Sequence, residues 1–181
     1  MTITKMLLAG FTATALLSGA ASAADDQKPF DGVYAGAEVG VDWTKLAGQK
    51  YDSSLYYGGV IGMRRQAEND MVVGLEGTFG DTGYKNGATG MNTDYEWGIS
   101  GILGQAYGDN LFYGKVGYVE TKFDATANAA GGTFRNGGWR FGAGYERALS
   151  NGLSLRLGGD YTTYGEGVKS WQTKAGLIAR F

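Results

Sequence analysis

Alternation of apolar residues with small or polar residues recurs along most of this 181-residue chain, and this period-two pattern is what most restricts its fold. Between Gly32 and Trp43 every odd-numbered residue is apolar, whereas the even-numbered residues are tyrosine, glycine, glutamate and aspartate. Such alternation is typical of a β-strand with one apolar face, because successive side chains point to opposite sides of a sheet. Eight segments of this kind are present: Gly32 to Trp43, Leu55 to Arg64, Met71 to Gly80, Tyr95 to Gln105, Leu111 to Phe123, Trp139 to Glu146, Leu153 to Tyr161 and Trp171 to Phe181.

The connections between the predicted strands alternate in length. Long connections follow the first, third and fifth strands and read TKLAGQKYDSS, DTGYKNGATGMN and DATANAAGGTFRNGG, whereas the intervening ones are RQAEND, AYGDN and ALSNG. Strands that run up and down in chain order place all the long loops at one end and both termini at the other. The sequence therefore predicts an all-β fold, an eight-stranded antiparallel up-and-down transmembrane β-barrel, provided that the apolar faces lie outside.

Two orientations of the faces are compatible with alternation alone. A soluble barrel has its apolar face inside, and an outer-membrane barrel turns that face to lipid. Glycine accounts for 33 of the 181 residues, and it occupies much of the polar faces, beside one or two charges per strand. On a water-facing surface glycine would cost backbone entropy without benefit, but a narrow lumen needs small residues beside large ones. The composition favours the lipid-facing orientation.

Aromatic residues concentrate near the predicted strand ends, as in the interfacial girdles of membrane barrels. The predicted girdle consists of Trp43, Phe79, Tyr95, Trp97, Phe112, Trp139, Tyr161, Trp171 and Phe181. The chain ends in LIARF, and a terminal aromatic residue on an outward-alternating strand resembles the signal by which the barrel assembly machinery recognises its substrates. Phe181 is therefore the predicted assembly signal.

The first 23 residues have the pattern of a cleaved secretory signal. Lys5 precedes an apolar stretch from Met6 to Leu17, and Ala21-Ser22-Ala23 forms a small-x-small end. The apolar stretch is shorter than the roughly 18–20 residues that a spanning helix needs. We expect cleavage after Ala23, so that residues 24–181 form the barrel domain and the protein is exported to the outer membrane.

The strand phases place charged residues of both signs on the inner face. These are Glu38, Arg64, Glu76, Glu96, Lys115, Arg140, Glu146, Arg156, Asp160, Lys174 and Arg180. Mutual neutralisation is expected, since an unpaired charge in a narrow lumen would be costly. The favoured interpretation is a structural plug, because eight strands leave no open channel once side chains fill them. A gated ion path or a catalytic carboxylate pair is the alternative.

Several classes of function lack their chemistry in this chain. The sequence has no histidine and no cysteine, which excludes Ser-His-Asp triads, cysteine nucleophiles and Cys/His zinc sites. Its 16 basic and 18 acidic side chains form no basic cluster, so no nucleic-acid partner is expected. We expect no enzymatic activity, no cofactor and no metal. Candidate contacts to a host protein, lipopolysaccharide phosphates or another surface ligand lie in the long loops, which are equally compatible with having no partner: Lys50, Tyr51, Tyr84, Lys85, Phe134 and Arg135.

Three segments resemble the small outer-membrane barrels related to the OmpA transmembrane domain, OmpX/Ail and the Opa proteins. They are GVYAGAEVGV, LSLRLGGDYTTYG from Leu153 to Gly165, and GLIARF at the terminus. The resemblance implies a monomeric barrel with a structural and surface role in the Gram-negative envelope, in contact with outer-membrane lipids and lipopolysaccharide. The alternatives are a surface adhesin or ligand receptor acting through the loops, a narrow porin and a soluble periplasmic binding barrel. No wall-binding domain follows Phe181, so the wall-anchoring role of full-length OmpA is not implied.

Overall fold

The computed structural model describes residues 28–45, 52–81, 85–86, 91–125, 133–149, 152–165 and 168–181. The predicted signal segment, residues 1–23, lies outside them. The strands are β1 (Gly32–Lys45), β2 (Asp52–Gln66), β3 (Met71–Asp81), β4 (Lys85–Asn86), β5 (Met91–Tyr107), β6 (Asn110–Ala125), β7 (Thr133–Ala148), β8 (Leu153–Tyr164) and β9 (Lys169–Arg180). In the described ranges, no helix has the length and apolarity needed to span a membrane.

Eight long strands form a closed antiparallel barrel. Each pairs with its neighbours in chain order, β3 pairs with β5, and β1 pairs with β9 to close the ring. The two-residue strand β4 lies outside this ring and pairs only with β5. Short turns join the strands at the end that also holds the carboxyl terminus, and Gly108 in one of them has a φ of 56°, a conformation that glycine adopts without strain. The predicted eight-stranded up-and-down barrel is confirmed.

The strands extend further toward the long loops than the alternation predicted. β7 begins at Thr133, so that Phe134 and Arg135 lie in a strand, opposite Phe123 and Lys122 of β6. Placing Phe134 and Arg135 in a loop was therefore wrong. Antiparallel pairing satisfies backbone groups whether or not one face is apolar, so a hairpin continues beyond the point where its sequence alternates.

Apolar side chains face outward along every long strand, although six large ones face inward: Val60, Val72, Ile102, Leu111, Val119 and Ile178. Ile61, Val39 and Leu155 are 63%, 58% and 51% exposed, whereas Glu38 and Arg156 on the opposite face are 3% and 2% exposed. In β6, whose phase was the least regular in sequence, Phe112, Val116 and Tyr118 are exposed and the alternate residues are buried. The barrel thus has an apolar outer wall and a polar interior, which is the arrangement of a membrane barrel.

An apolar layer occupies the lumen at the short-turn end. Phe30 is fully buried there, in a cluster with Val72, Ile102, Ala106, Leu111, Tyr113 and Ala148. The backbone amide of Phe30 donates to the side-chain oxygen Oε1 of Gln66 at 3.1 Å. The backbone amide of Gln66 donates to Asp31 Oδ1 at 2.9 Å. These bonds fix the segment before β1 inside the barrel mouth. The sequence did not predict this layer, because Phe30 precedes the first alternating segment.

Two glycines of β5 give a matched test of why the lumen needs small residues. A Cβ at inward-facing Gly104 would lie 2.7 Å from the Phe112 carbonyl oxygen and 2.9 Å from the Tyr113 Cβ, whereas at outward-facing Gly101 the nearest atom is 3.9 Å away. We expect Gly104→Ala to destabilise the barrel by about 1–3 kcal/mol through overpacking. Gly101→Ala should be neutral or slightly stabilising, because alanine loses less backbone entropy. Urea unfolding in lipid vesicles measures both, and equal effects would contradict the packing argument.

Candidate functional site

All eleven charged residues assigned to the lumen from the strand phases are buried in the structure, each with 8% exposure or less. Asp42 joins them at 2% exposure. The sequence analysis left Asp42 out of the set, although it has the same phase as Glu38 in β1. With Asp42 included, the described lumen contains six buried carboxylates and six buried cations.

Arg156 of β8 is the centre of the cluster nearest the short-turn end. Its Nη1 donates to Glu76 Oε2 at 2.6 Å and to Glu38 Oε1 at 3.4 Å, and its Nε donates to Glu146 Oε2 at 3.0 Å. Glu146 also accepts two parallel bonds from Arg64, both of 2.9 Å. Such bidentate pairs are among the strongest side-chain contacts, and they compensate the cost of burying the charges.

Two lysines extend this cluster along the lumen. Lys115 Nζ lies 3.3 Å from both Glu76 Oε1 and Asp160 Oδ1. Lys174 Nζ lies 2.5 Å from Asp160 Oδ2 and 4.0 Å from Glu38 Oε2. Because Glu76 and Glu38 contact Arg156 as well as a lysine, the ion pairs form one connected network across seven strands rather than separate pairs.

A second cluster lies toward the long-loop end. Arg140 Nη2 donates to Glu96 Oε1 at 2.5 Å, and Arg140 Nε donates to Thr162 Oγ1 at 3.2 Å. The other carboxylate oxygen of Glu96 accepts from the hydroxyls of Thr121, at 3.5 Å, and Tyr164, at 3.4 Å. Each oxygen of Glu96 therefore has a donor although the side chain is almost fully buried, which is the requirement for a stable buried charge.

Asp42 and Arg180 complete the buried charges. Asp42 accepts hydrogen bonds from the hydroxyls of Ser170, at 2.5 Å, and Thr44, at 2.6 Å. Arg180 is 4% exposed and lies opposite Tyr34 in the β1–β9 register, near the short-turn end.

Buried tyrosines pack against the cations, and the sequence analysis did not include them in the network. The Tyr34 hydroxyl donates to Glu76 Oε2 at 2.8 Å, while the Arg64 guanidinium lies 4.1 Å from the centre of the Tyr34 ring. Arg156 lies 5.4 Å from the ring of Tyr113, and Lys174 Nζ lies 4.7 Å from that of Tyr56. Cation–π contacts strengthen when they are desolvated. These tyrosines could have been predicted from the sequence, because they occupy inward-facing positions of the alternating pattern.

This arrangement packs oppositely charged side chains together inside the barrel. No group of three or more His, Cys, Asp or Glu side chains able to hold a metal ion occurs within the described ranges. The carboxylates just described are each held by cations or hydroxyl donors, which leaves no poised acid–base pair beside an open cavity.

The residues assigned to the aromatic girdle face outward in two groups. At the long-loop end Tyr161 packs against Trp171 with ring centres 4.7 Å apart, and Phe79 stacks on Tyr95 at 5.9 Å. Trp43, Trp97 and Trp139 are exposed at the same end, while Phe112 and Phe181 lie near the short turns. Three further outward aromatics make ring contacts with these residues: Tyr107, Tyr118 and Tyr145.

Phe181 closes the last strand pairing. Its backbone amide donates to the Val33 carbonyl at 2.9 Å, and its ring borders an outer groove of about 500 Å³ whose other lining residues include Ala35, Ala37 and Gly59.

The residues predicted as loop contacts fall into two groups. Lys85 lies in β4, and Phe134 and Arg135 lie in β7, whereas Lys50, Tyr51 and Tyr84 lie outside the described residues.

Comparisons with known proteins agree with this architecture. A sequence profile of the outer membrane protein beta-barrel domain matches residues 11–181. Among solved structures, the chain is similar to neisserial surface protein A, with a TM-score of 0.65 and 15% identity over 83% of this chain and 98% of that one. It is also similar to the N-terminal barrel of Pseudomonas aeruginosa OprF, with a TM-score of 0.56 and 15% identity over 81% and 97% of the two chains. The attachment invasion locus protein Ail of Yersinia pestis gives 0.55 and 17% over 82% and 99%. Identities this low show a shared fold alone, and the curated protein sequences gave no significant match.

Proposed function

The chain belongs to the family of outer membrane protein β-barrel domains, and on that premise we propose that it is a closed barrel with a structural and surface role in the cell envelope. In this proposal residues 1–23 direct export and are removed, and the barrel assembly machinery recognises Phe181. The barrel is a monomer without enzymatic activity, surrounded by outer-membrane lipids and lipopolysaccharide.

The content of the lumen is the observation that carries the closed-barrel proposal. At the short-turn end the apolar layer around Phe30 occupies the interior, and above it the ion-pair network extends from Arg64 to Lys174. Moving an ion through this region would require breaking buried ion pairs, which is costly. Both layers would have to open together for conduction.

A surface role is supported by the height of the strands at the long-loop end. Trp97 and Trp139 mark the girdle, yet β5 and β7 each begin six residues before them, at Met91 and Thr133. Both strands are therefore paired along their length beyond the girdle residues. This favours the ligand-receptor alternative over a narrow porin as the second candidate function, since binding residues commonly lie on loops presented by a rigid scaffold.

Planar-bilayer recording and membrane extraction test the closed-barrel proposal. We expect the purified chain to insert without producing steady single-channel openings, because both lumen layers block the path. In cells the chain should stay in the membrane pellet after urea or carbonate extraction, since its apolar wall is solvated by lipid.

A porin recorded in the same bilayer is the positive control for conductance. Steady openings of the chain would refute the closed lumen, and release into the supernatant would refute the membrane location.

A further inference from the structure

The seam between β1 and β9 closes the barrel. Every other neighbouring pair of long strands is joined by an intervening stretch of the chain, whereas β1 and β9 are the first and last strands and have no such connection. Separation of these two strands therefore stretches no loop, although it leaves two unpaired strand edges in place of one ladder. The seam is the place at which the ring of strands can open with the least rearrangement.

The chain enters the barrel mouth beside this seam, just before β1 begins. Gly32 has a φ of 108°, a conformation that residues with a side chain rarely adopt. A Cβ at Gly32 would lie 2.9 Å from the carbonyl oxygen of Phe181, the residue that follows β9. Glycine thus lets the chain pass close to the end of β9, and the residues before it lead into the lumen instead of continuing the wall.

Phe30 links the first strand of the seam to the opposite wall. Its side chain is fully buried, and the other members of its apolar cluster belong to β3, β5, β6 and β7. Only Asp31 separates Phe30 from the first residue of β1. Movement of β1 away from β9 would therefore pull the Phe30 ring out of the apolar layer, and exposure of a large aromatic side chain to water is unfavourable.

The segment that carries Phe30 is held in one conformation by backbone bonds. The Asp31 amide donates to the Lys28 carbonyl at 3.1 Å, which closes a turn around Pro29 and Phe30. Pro29 is the only proline of the chain, and its ring restricts the backbone at the second position of such a turn. The Phe30 amide donates to Gln66 Oε1 at 3.1 Å, and Gln66 is the last residue of β2. The ring is therefore positioned in the layer before any movement of the seam.

We propose that Phe30 is a latch on the β1–β9 seam. While its ring occupies the apolar layer, β1 is held against β9, and withdrawal of the ring lets the two strands separate at the short-turn end. The inference rests on the barrel fold, so it does not depend on whether the barrel conducts ions or binds a surface ligand.

Hydrogen exchange of the backbone amides, measured by mass spectrometry on the full chain in lipid nanodiscs, tests the latch. Phe30→Ala should speed exchange at the short-turn end of the seam, in residues 33–37 and 177–181. The expected acceleration is about 100-fold, because truncation of a buried phenylalanine favours local opening by at least that factor. Amides of the β6–β7 hairpin should exchange as they do in wild type.

Two controls separate the latch from a general loss of stability. Val119→Ala shortens a fully buried apolar side chain of β6 that lies outside the Phe30 cluster, and it should leave exchange at the seam unchanged. The chain contains no cysteine, so a pair can be introduced across the seam. Ala35→Cys with Ala179→Cys, which lie opposite each other in register, should restore slow exchange to the Phe30→Ala variant once a bis-thiol reagent joins them.

Four outcomes would overturn the proposal: unchanged exchange at the seam in Phe30→Ala, equal acceleration in the β6–β7 hairpin, equal acceleration of the seam by Val119→Ala, or fast exchange that persists after cross-linking. Heat-modifiable gel migration reports the folding of each variant separately. If Phe30→Ala does not fold, Phe30→Leu replaces it, since leucine keeps much of the apolar volume. A smaller acceleration confined to the seam is then expected, and acceleration spread over all strands would refute the latch.

Discussion

Arg156→Ala should destabilise the folded barrel by about 3–5 kcal/mol, because it leaves buried carboxylates without their shared cation. Glu38, Glu76 and Glu146 all bond to this guanidinium, and each is 3% exposed or less. Their low exposure limits the hydration of a carboxylate that has lost its cation. Urea unfolding in lipid vesicles, followed by tryptophan fluorescence and heat-modifiable gel migration, measures the loss.

Arg65→Ala is the control, since its side chain is 85% exposed and makes only a 4.0 Å contact with Asp31. Its unfolding free energy should stay close to that of wild type. Adding Glu76→Gln to Arg156→Ala should recover part of the loss, because one uncompensated charge is removed. An effect of Arg156→Ala no larger than that of Arg65→Ala would show that the network does not stabilise the barrel.

Leu157→Arg should cost about 2–4 kcal/mol, because it places a charge on the lipid face of β8 far from either interface. Leu157 is 58% exposed, lies midway between Leu153 and Tyr161 on the outer face of β8, and pairs in register with Ala175 of β9. The same substitution at Leu149, in the turn after β7, should cost about 0–1 kcal/mol, since arginine there reaches the headgroups. Unfolding from vesicles of defined lipid measures both variants.

The comparison between the two leucines tests the orientation of the wall. In a soluble barrel both positions would face water, and arginine would be tolerated at each. Equal, small effects at Leu157 and Leu149 would therefore contradict the lipid-facing assignment, while a large effect confined to Leu157 supports it. The network experiment with Arg156 is independent of this outcome, because it concerns the opposite face of the same strand.

The contacts of the inward-facing residues could be predicted from the sequence to different degrees. Glu146 and Arg156 face each other in the β7–β8 hairpin register, so the strand phases and the short turn together bring them into contact. Arg156 and Glu76, by contrast, lie 80 residues apart and meet across the lumen. Phe30 gave no periodic signal, and β7 continued through Phe134 and Arg135 because backbone pairing does not depend on alternation.

The sequence by itself determined the number of strands, their up-and-down order and the face on which each side chain lies. These properties depend on local alternation and on connection length, which are readable one segment at a time. Only the tertiary structure decided which charges share a partner, that Phe30 is buried in the lumen at the short-turn end, and that Lys45 lies opposite Lys169. Those contacts depend on how β1 and β9 align when the barrel closes, and the relative register of strands far apart in the chain is set by packing across the whole ring rather than by any one strand.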